Sequence, residues 1–122
     1  MIKRNGGGWT EARYRTFVRS ALRAAFRKWP PRYQALKAAA TTRKVNAKTG
    51  RLAMHYVCAG CKQEFAGSSV HVDHKKPVVL KNFVSWDVFV NRLFCEASNL
   101  QILCHDCHKT KTSKERKNRA KK

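Results

Sequence analysis

Two cysteine pairs with the same spacing constrain the fold of this chain more than any other feature of its sequence. Each pair is a Cys-x-x-Cys segment, one from Cys58 to Cys61 and one from Cys104 to Cys107, and 42 residues lie between them. A loop this short brings two thiolates to one Zn²⁺ at about 2.3 Å, and two such loops complete a tetrahedral site. The spacing therefore predicts a structural zinc ion that joins two distant parts of the chain.

Two other uses of these cysteines explain less of the sequence. Disulfides need an oxidising compartment, whereas the N-terminus leads into charged residues rather than a secretory signal, and Cys95 would be left unpaired. Residues 104–108, Cys-His-Asp-Cys-His, also match the pattern for covalent haem attachment, but haem would leave Cys58 and Cys61 unexplained. Because the sequence has no run of 18 apolar residues, we expect an intracellular protein that does not enter a membrane.

The charge of the chain points to a polyanionic partner. Its 122 residues include 27 Lys and Arg against 7 Asp and Glu, which gives a formal net charge of +20. Residues 1–51 contain 14 basic and one acidic residue, residues 109–122 contain eight and one, and residues 52–108 contain five of each. Because self-repulsion of this size opposes compaction, nucleic acid is the expected partner.

Two basic segments are the candidate contacts to nucleic acid. In the predicted first helix, four arginines recur at every fourth position, so their guanidinium groups follow one flank over roughly 18 Å. Like charges at this spacing weaken a helix unless an anion lies between them, which favours a role in binding DNA phosphates. The candidate DNA-binding residues are Arg15, Arg19, Arg23 and Arg27 on this helix, with Lys109 and Lys111 after the last cysteine.

The hydrophobic pattern predicts helices in the first third of the chain. Thr10 is the expected N-cap of a helix whose apolar residues follow the 3.6-residue period until Pro30 and Pro31 end it. A second short helix is predicted over residues 32–40. Residues 41–50 have the composition of a basic linker or turn.

The remainder of the chain alternates between short strands and helices around the cysteine pairs. Residues 54–57 and 69–73 are predicted to pair as strands on either side of the first Cys-x-x-Cys segment. The other predicted elements, in chain order, are a loop marked by Pro77 and Asn82, a helix capped by Ser85, a strand over 99–103, and a helix from His105 that frays into a disordered basic tail.

Outside the cysteines, a second set of metal-ligating residue types lies in the neutral middle segment. Asp73 and His74 end a predicted strand, and His108 directly follows Cys107, so a zinc ion at the cysteines would hold His108 in a fixed place. Asp73 and His108 can bind a divalent ion while leaving positions open for water and phosphate oxygens. His74, whose ordinary pKa is about 6.5, can act as a general base, and Asn99 can orient that base or hold the loop.

The ligand assignment has alternatives among the histidines. Adjacent strand residues point to opposite faces, so Asp73 and His74 share a cleft only if the strand ends or bulges there. His105 competes with His108 for the metal, and chemistry alone does not separate the two. His71 has the strand parity of Asp73 and is a candidate third ligand, although an exposed strand histidine is the commoner case.

Together these residues resemble the zinc-containing type of HNH endonuclease, and its small phage-encoded members most of all. The resemblance is carried by Asp73-His74, by Asn99-Leu100-Gln101, by residues 103–111 with their Cys-x-x-Cys-His segment, and by the upstream cysteine pair. It covers Cys58 to about Thr112, whereas the N-terminal 50 residues lie outside it. This resemblance implies an α+β fold, with a ββα-metal core held together by the four-cysteine zinc site and an N-terminal helical extension.

The resemblance also implies an activity, the hydrolysis of phosphodiester bonds in DNA. His74 is then the general base and Asn99 the central polar residue of the motif, while Asp73 and His108 hold one divalent ion, which is Mg²⁺, Mn²⁺ or Ni²⁺. The domains become a basic helical extension (1–51), a nuclease domain with the zinc knuckles (52–112) and a disordered basic tail (113–122). The expected setting is the cytoplasm of a bacterial host, with DNA and other phage DNA-processing proteins as partners.

The alternative is a zinc-ribbon module that binds nucleic acid without catalysis. It accounts for the four cysteines and for the charge, but it leaves Asp73, His74 and His108 as coincidence. A ribbon binds one metal ion per chain, whereas the nuclease has a second site that a chelator can empty. RNA stays open as a substrate in place of DNA.

Overall fold

The computed structural model describes residues 2–78 and 85–120, which form an α+β fold. The longest helices, α1 and α4, have 16 residues each, and within the described ranges no helix could span a lipid bilayer. The elements in chain order are α1 (Glu11–Phe26), α2 (Pro30–Ala39), β1 (Ala40–Val45), β2 (Leu52–Val57), β3 (Glu64–Ala66), β4 (Val70–His74), α3 (Trp86–Leu93), β5 (Leu100–Cys104) and α4 (His105–Ala120).

The helix starts follow from capping residues that the sequence contains. The Thr10 hydroxyl accepts a hydrogen bond from the Arg13 N–H at 3.1 Å, and α1 begins at the residue after Thr10. The Ser85 hydroxyl accepts from the Val88 N–H at 3.2 Å at the start of α3. Pro30 occupies the first turn of α2, where its missing N–H costs nothing. The predicted starts of α1 and α3 are therefore confirmed, and α2 lies where a second helix was predicted.

The strands form two small antiparallel sheets. One sheet has the order β1-β2-β3, and the other consists of β4 and β5. In the second sheet Asp73 lies opposite Gln101, and His74 lies opposite Leu100. The predicted pairing of residues 54–57 with 69–73 is wrong, because both edges of β2 are already occupied by β1 and β3.

Residues 41–50, predicted as a linker, contain most of β1 and a tight turn. Asn46 closes the turn: its side-chain oxygen accepts from the Lys48 N–H at 3.0 Å, and its own N–H donates to the Arg51 carbonyl at 2.7 Å. Gly50 has a φ of +73°, a backbone conformation that side chains disfavour. β1 is an edge strand with mostly exposed residues, so its composition resembles that of a linker.

The main hydrophobic core combines the N-terminal helices with the second sheet and α3. Its buried residues are Phe26, Ala35, Val78, Phe89, Leu93, Leu100 and Ile102. Trp29, just before α2, donates from its indole N–H to the Cys95 carbonyl at 2.6 Å. The domain boundary expected at residue 51 falls inside the β1–β2 hairpin, and residues on both sides of it share this core.

Helix α4 continues through much of the segment that we expected to be a disordered tail. It runs to Ala120, and so covers residues 113–120 of the predicted tail. Lys, Arg and Glu have good helix propensity, and Lys111 forms an ion pair one turn ahead with Glu115 at 2.8 Å. Residues 121–122 and the predicted loop residue Asn82 lie outside the described part of the chain.

Candidate metal centre and adjoining cavity

The two cysteine pairs converge into one cluster. The Sγ atoms of Cys58, Cys61, Cys104 and Cys107 all lie within 4.8 Å of one another, and the distance between those of Cys61 and Cys104 is 4.0 Å. Four sulfurs around one tetrahedral Zn²⁺ lie about 3.8 Å apart, so small shifts would give four zinc–sulfur bonds. The cluster could therefore hold a metal ion, and its all-thiolate ligand set favours zinc.

The first pair is positioned by a tight loop after β2. The Cys58 N–H donates to the Gln63 carbonyl at 2.9 Å, and the Lys62 N–H donates to the Cys58 carbonyl at 2.9 Å. A Cβ atom at Gly60 would lie 2.9 Å from the Cys107 sulfur, closer than real Cβ atoms approach. Glycine is thus the residue that lets the two loops come together at this point.

The second pair lies at the junction of β5 and α4. Cys104 ends β5 and Cys107 lies in the first turn of α4, where the helix dipole favours negative charge. The Cys104 N–H donates to the Cys58 sulfur at 3.2 Å, and the Cys107 N–H donates to the Cys104 sulfur at 3.5 Å. These two N–H groups therefore stabilise negative charge on the sulfurs of Cys58 and Cys104 without a metal ion.

The thiols of the cluster differ in acidity. Burial raises the pKa of Cys58, but hydrogen bonds from the N–H groups of Cys104, Cys61 and Gly60 outweigh burial and lower this pKa to about 6. The pKa of Cys107 is raised to about 12, chiefly by its hydrogen bonds with the Cys104 and Cys58 sulfurs. One thiolate is therefore favoured by the protein alone, whereas several thiolates together need a divalent cation among them.

A cavity of about 330 Å³ lies between the end of β4 and helix α4. Asp73, His74 and His108 all line it. Because β4 ends at His74, the two neighbouring side chains can reach the same space despite the alternation along a strand. The remaining lining residues are Arg23, Val72, Pro77, Val78, Thr112 and Glu115.

Asp73 is held with its two carboxylate oxygens in different environments. The residue is buried, with only 7% of its surface exposed. Its Oδ2 accepts from the Gln101 side-chain amide at 3.0 Å and pairs with the Lys111 ammonium at 3.2 Å. Its Oδ1 lies 3.9 Å from Nε2 of His108. Two ligand atoms of one small divalent ion lie about 3–4 Å apart, so Oδ1 and Nε2 fit a shared ion.

His74 has a defined tautomer. Its Nε2 lies 2.8 Å from the Leu93 carbonyl oxygen. A carbonyl only accepts, so Nε2 carries the proton and Nδ1 of the neutral ring has the free lone pair. The ring also packs against Phe26 of α1, with 4.9 Å between the ring centroids. The orientation of the His74 imidazole is therefore fixed in part by α1, which lies outside the segments that carry the resemblance.

Lys111, predicted as a DNA contact, is engaged inside the protein. Its ammonium donates to the His74 carbonyl at 2.9 Å and pairs with the carboxylates of Asp73 and Glu115. Burial works to lower its pKa, but the hydrogen bonds with Glu115 and Asp73 outweigh burial and raise it overall. Lys109, the other lysine of this prediction, is exposed. The Lys111 ammonium therefore balances the negative charge of two carboxylates.

Asn99 lies apart from the groups that line the cavity of Asp73. Its side-chain oxygen accepts from the Lys76 N–H at 3.1 Å, and its carbonyl accepts from the Lys75 N–H at 2.7 Å. It lines a different cavity from that of Asp73 and His74. Of the two roles left open by chemistry, holding the loop after β4 is the one that these contacts favour.

The positions of the histidines near α4 show which of them faces Asp73. Nε2 of His108 faces Asp73, whereas His105 is exposed and lines another cavity. The His71 ring stacks on His108 at 4.7 Å between centroids and lies 5.7 Å from His105. Burial lowers the pKa of His71, and repulsion from His108 and His105 lowers it further. Among the described residues, only the four cysteines form a close group of three or more metal ligands.

The predicted arginine stripe extends one residue beyond α1, because the helix ends at Phe26 and Arg27 is its C-cap, and its four residues differ in exposure. Arg15 and Arg19 are half-buried, while Arg23 and Arg27 are exposed. Arg23 alone of the four lines the cavity of Asp73, as far as the chain is described. Its guanidinium carbon lies 5.7 Å from the centroid of the Phe89 ring on α3.

Three residues without a functional role in the sequence analysis lie beside this cavity. Phe26 contacts His74, Gln101 donates to Asp73, and Glu115 pairs with Lys111. Glu115 does carry a signal, because it is the one acidic residue beside eight basic residues in 109–122. The other two depend on helix packing and strand register, which a sequence does not state.

Comparison with known proteins does not identify a family for this chain. No protein-family model matches the chain, and neither does any curated protein or solved structure. The features of the chain that bear on its function are therefore the tetracysteine cluster and the cavity lined by Asp73, His74 and His108.

Proposed function

We propose that this protein is a metal-dependent DNA endonuclease of the HNH type. The observation that carries the proposal is the shared cavity: a carboxylate, an imidazole whose Nε2 is hydrogen-bonded to the Leu93 carbonyl, and a second imidazole line one space of about 330 Å³. Asp73 and His74 belong to β4, whereas His108 belongs to α4. Residues so far apart in sequence converge on one space that is large enough for a phosphate group.

The proposed ββα-metal core consists of β4, β5 and α4. The antiparallel pairing of β4 with β5 and the direct continuation of β5 into α4 support this assignment. A zinc ion at the cysteine cluster would join the loop after β2 to the start of α4, close to His108. In a chain of this size, such a metal site replaces part of the stability that a larger core would supply.

His74 is the proposed general base. Its Nε2 proton is committed to the Leu93 carbonyl, so the lone pair of Nδ1 is the one that can accept a proton from water. The Phe26 ring packed against the imidazole limits its rotation. A base held in one orientation loses less entropy when the reaction occurs.

Asp73 and His108 are the proposed ligands of a catalytic divalent ion, Mg²⁺, Mn²⁺ or Ni²⁺. The 3.9 Å between Oδ1 and Nε2 supports this pairing. When bound, such an ion would polarise the phosphate and offset the charge that develops on the leaving oxygen. The Gln101 amide and the Lys111 ammonium hold Oδ2, which keeps the carboxylate in place and its other oxygen directed at His108.

The proposed reaction is hydrolysis of one phosphodiester bond. The oxygen of a water molecule forms a bond to phosphorus while the bond from phosphorus to the leaving ester oxygen breaks. The proton of the water passes to Nδ1 of His74, and the leaving oxygen takes a proton from solvent. One site of this kind cuts one strand, so a double-strand break would need two sites or two encounters.

A test of this proposal is the cleavage of supercoiled plasmid by the purified protein with and without Mg²⁺ or Mn²⁺. We expect metal-dependent nicking that His74→Ala abolishes while DNA binding and zinc content stay at wild-type levels. The matched control is His55→Ala, because His55 lies in β2 with its Nδ1 bonded to the Ala53 carbonyl at 2.9 Å. This control should cleave like the wild type.

The zinc-ribbon alternative gives a different result in the same assay. It predicts no cleavage with any divalent ion, tight binding that weakens with salt, and one metal ion per chain. That outcome would overturn the nuclease proposal. Full activity of His74→Ala would instead remove His74 from the mechanism. A parallel incubation with single-stranded and structured RNA decides whether DNA is the preferred substrate.

A further inference from the structure

The cavity includes one side chain from outside the motif residues that has the chemistry to bind a phosphate. Arg23, on α1, lines it together with Asp73, His74 and His108. Among the described lining residues Arg23 is the only Lys or Arg, whereas Asp73 and Glu115 are acidic. A phosphodiester entering this space therefore meets one permanent positive charge among the side chains that line it.

The position of Arg23 is set by the packing of α1. Arg23 lies three residues before Phe26, which places both on the same face of the helix. Phe26 is buried in the core and contacts the His74 ring, so this face of α1 is turned toward the end of β4. The guanidinium carbon of Arg23 lies 5.7 Å from the centroid of the Phe89 ring on α3. This cation–π contact helps to hold the guanidinium in place.

We propose that Arg23 binds the scissile phosphate in the cavity, a role distinct from that of the other arginines on α1. This inference rests on the proposed nuclease function and extends it to a residue outside the HNH motif. The planar guanidinium can donate two parallel hydrogen bonds to two phosphate oxygens, which fixes the orientation of the phosphate toward Nδ1 of His74. It also stabilises the additional negative charge of the transition state.

The test compares Arg23→Ala and Arg23→Lys with the wild type in single-turnover cleavage at saturating DNA. We expect Arg23→Ala to cleave about 10²–10³-fold more slowly, the loss seen when one preorganised donor to a developing charge is removed. The dissociation constant for DNA, measured without a divalent ion, should change by less than about threefold, because one of many phosphate contacts is lost. Arg23→Lys should recover only part of the rate, since an ammonium does not donate in the bidentate geometry.

Two controls separate phosphate binding from a structural role. Lys37→Ala removes an exposed positive charge from α2 and should leave the cleavage rate at saturating DNA unchanged. Millimolar guanidinium added to Arg23→Ala should restore part of the rate, which a purely structural defect would not allow. Equal melting temperatures and zinc contents of the variants confirm that they are folded.

The outcomes distinguish this inference from the function on which it rests. A wild-type protein that cleaves DNA, with Arg23→Ala equally fast at saturation, overturns the role of Arg23 alone. Slow cleavage that guanidinium does not restore, accompanied by a lower melting temperature, also overturns it in favour of a packing role. Absence of cleavage by the wild type removes the nuclease function and this inference together.

Discussion

At the scale of single residues, hydrogen bonds decide between roles that residue type leaves open. Asn99 could orient a base or hold a loop, and its contacts to the N–H groups of Lys75 and Lys76 favour the second role. These two lysines directly follow His74 in the chain. Asn99 therefore sets the path of the backbone immediately after the proposed base.

The loop-holding role of Asn99 predicts a difference between two substitutions. Asn99→Asp keeps an oxygen that accepts from the Lys76 N–H, so unfolding free energy and cleavage should stay close to wild type. Asn99→Ala removes the acceptor and should cost about 1 kcal/mol, with slower cleavage as the loop loosens. Urea unfolding and plasmid nicking measure the two effects. An inactive Asn99→Asp with normal stability would show that the side-chain NH₂ group acts on the substrate.

Three of the residues singled out from the sequence line one cavity in the structure, whereas the sequence did not indicate the residues around them. Asp73, His74 and His108 are recognisable because their chemical types and short-range positions form a motif. Arg23 and Phe26 reach the same region only because α1 packs against the end of β4, a contact between segments far apart in the chain. Periodicity identifies the helix but not which of its turns meets which strand.

At the scale of elements, the cysteine cluster joins the loop after β2 to the turn between β5 and α4. Cys58 is fully buried, and its sulfur accepts hydrogen bonds from the N–H groups of Cys104 and Gly60. Leu103 and Cys104 pack with Cys58 in a small core of their own. The first sheet and α4 are therefore linked through this cluster.

Removal of one cysteine from this link should destabilise the protein strongly. Cys104→Ser is expected to lose bound zinc and roughly 3 kcal/mol or more of unfolding free energy, because metal affinity contributes directly to folding. Cys95→Ser is the matched control, since Cys95 lies outside the cluster and should retain zinc. Metal analysis and urea titration provide the comparison. A Cys104→Ser protein with full zinc content and normal stability would contradict a tetracysteine zinc site.

The positions of three strands could be predicted from the sequence, but the pairing of the strands could not. The segments of β2, β4 and β5 are visible in the β-prone runs of the sequence, and the capping residues Thr10 and Ser85 locate two helix starts. The partner of β4 is β5, which follows after α3, rather than the earlier β2. Pairing depends on which edges are already occupied, and local sequence patterns carry no information about this.

At the scale of the whole molecule, the helical extension and the motif-bearing part form one core. Phe26 and Ala35 are buried together with Leu93, Leu100 and Ile102. The indole of Trp29 bonds to the Cys95 carbonyl, in the same short segment as the Leu93 carbonyl that holds His74. Residues 1–51 are thus part of the structure that positions the proposed base, in addition to carrying positive charge.

This shared core predicts that residues 52–122 do not fold alone. The fragment would lack β1, the partner of β2, and would expose the surface that Phe26 covers, whose loss costs about 3–5 kcal/mol in a typical core. With zinc present, we expect weak near-ultraviolet circular dichroism and no cooperative thermal transition, in contrast to the full chain. A fragment that melts sharply and nicks plasmid would establish the extension as dispensable.

The wide separation of the cysteine pairs has a consequence for the newborn chain. Cys58 and Cys104 are 46 positions apart, so at roughly 5–20 residues per second a ribosome takes about 2–9 s to translate from one to the other. During this interval Cys58 and Cys61 are present without the sulfurs that complete their cluster. The complete set of four thiols, and with it the proposed zinc site, therefore becomes available only after residue 107 has been translated.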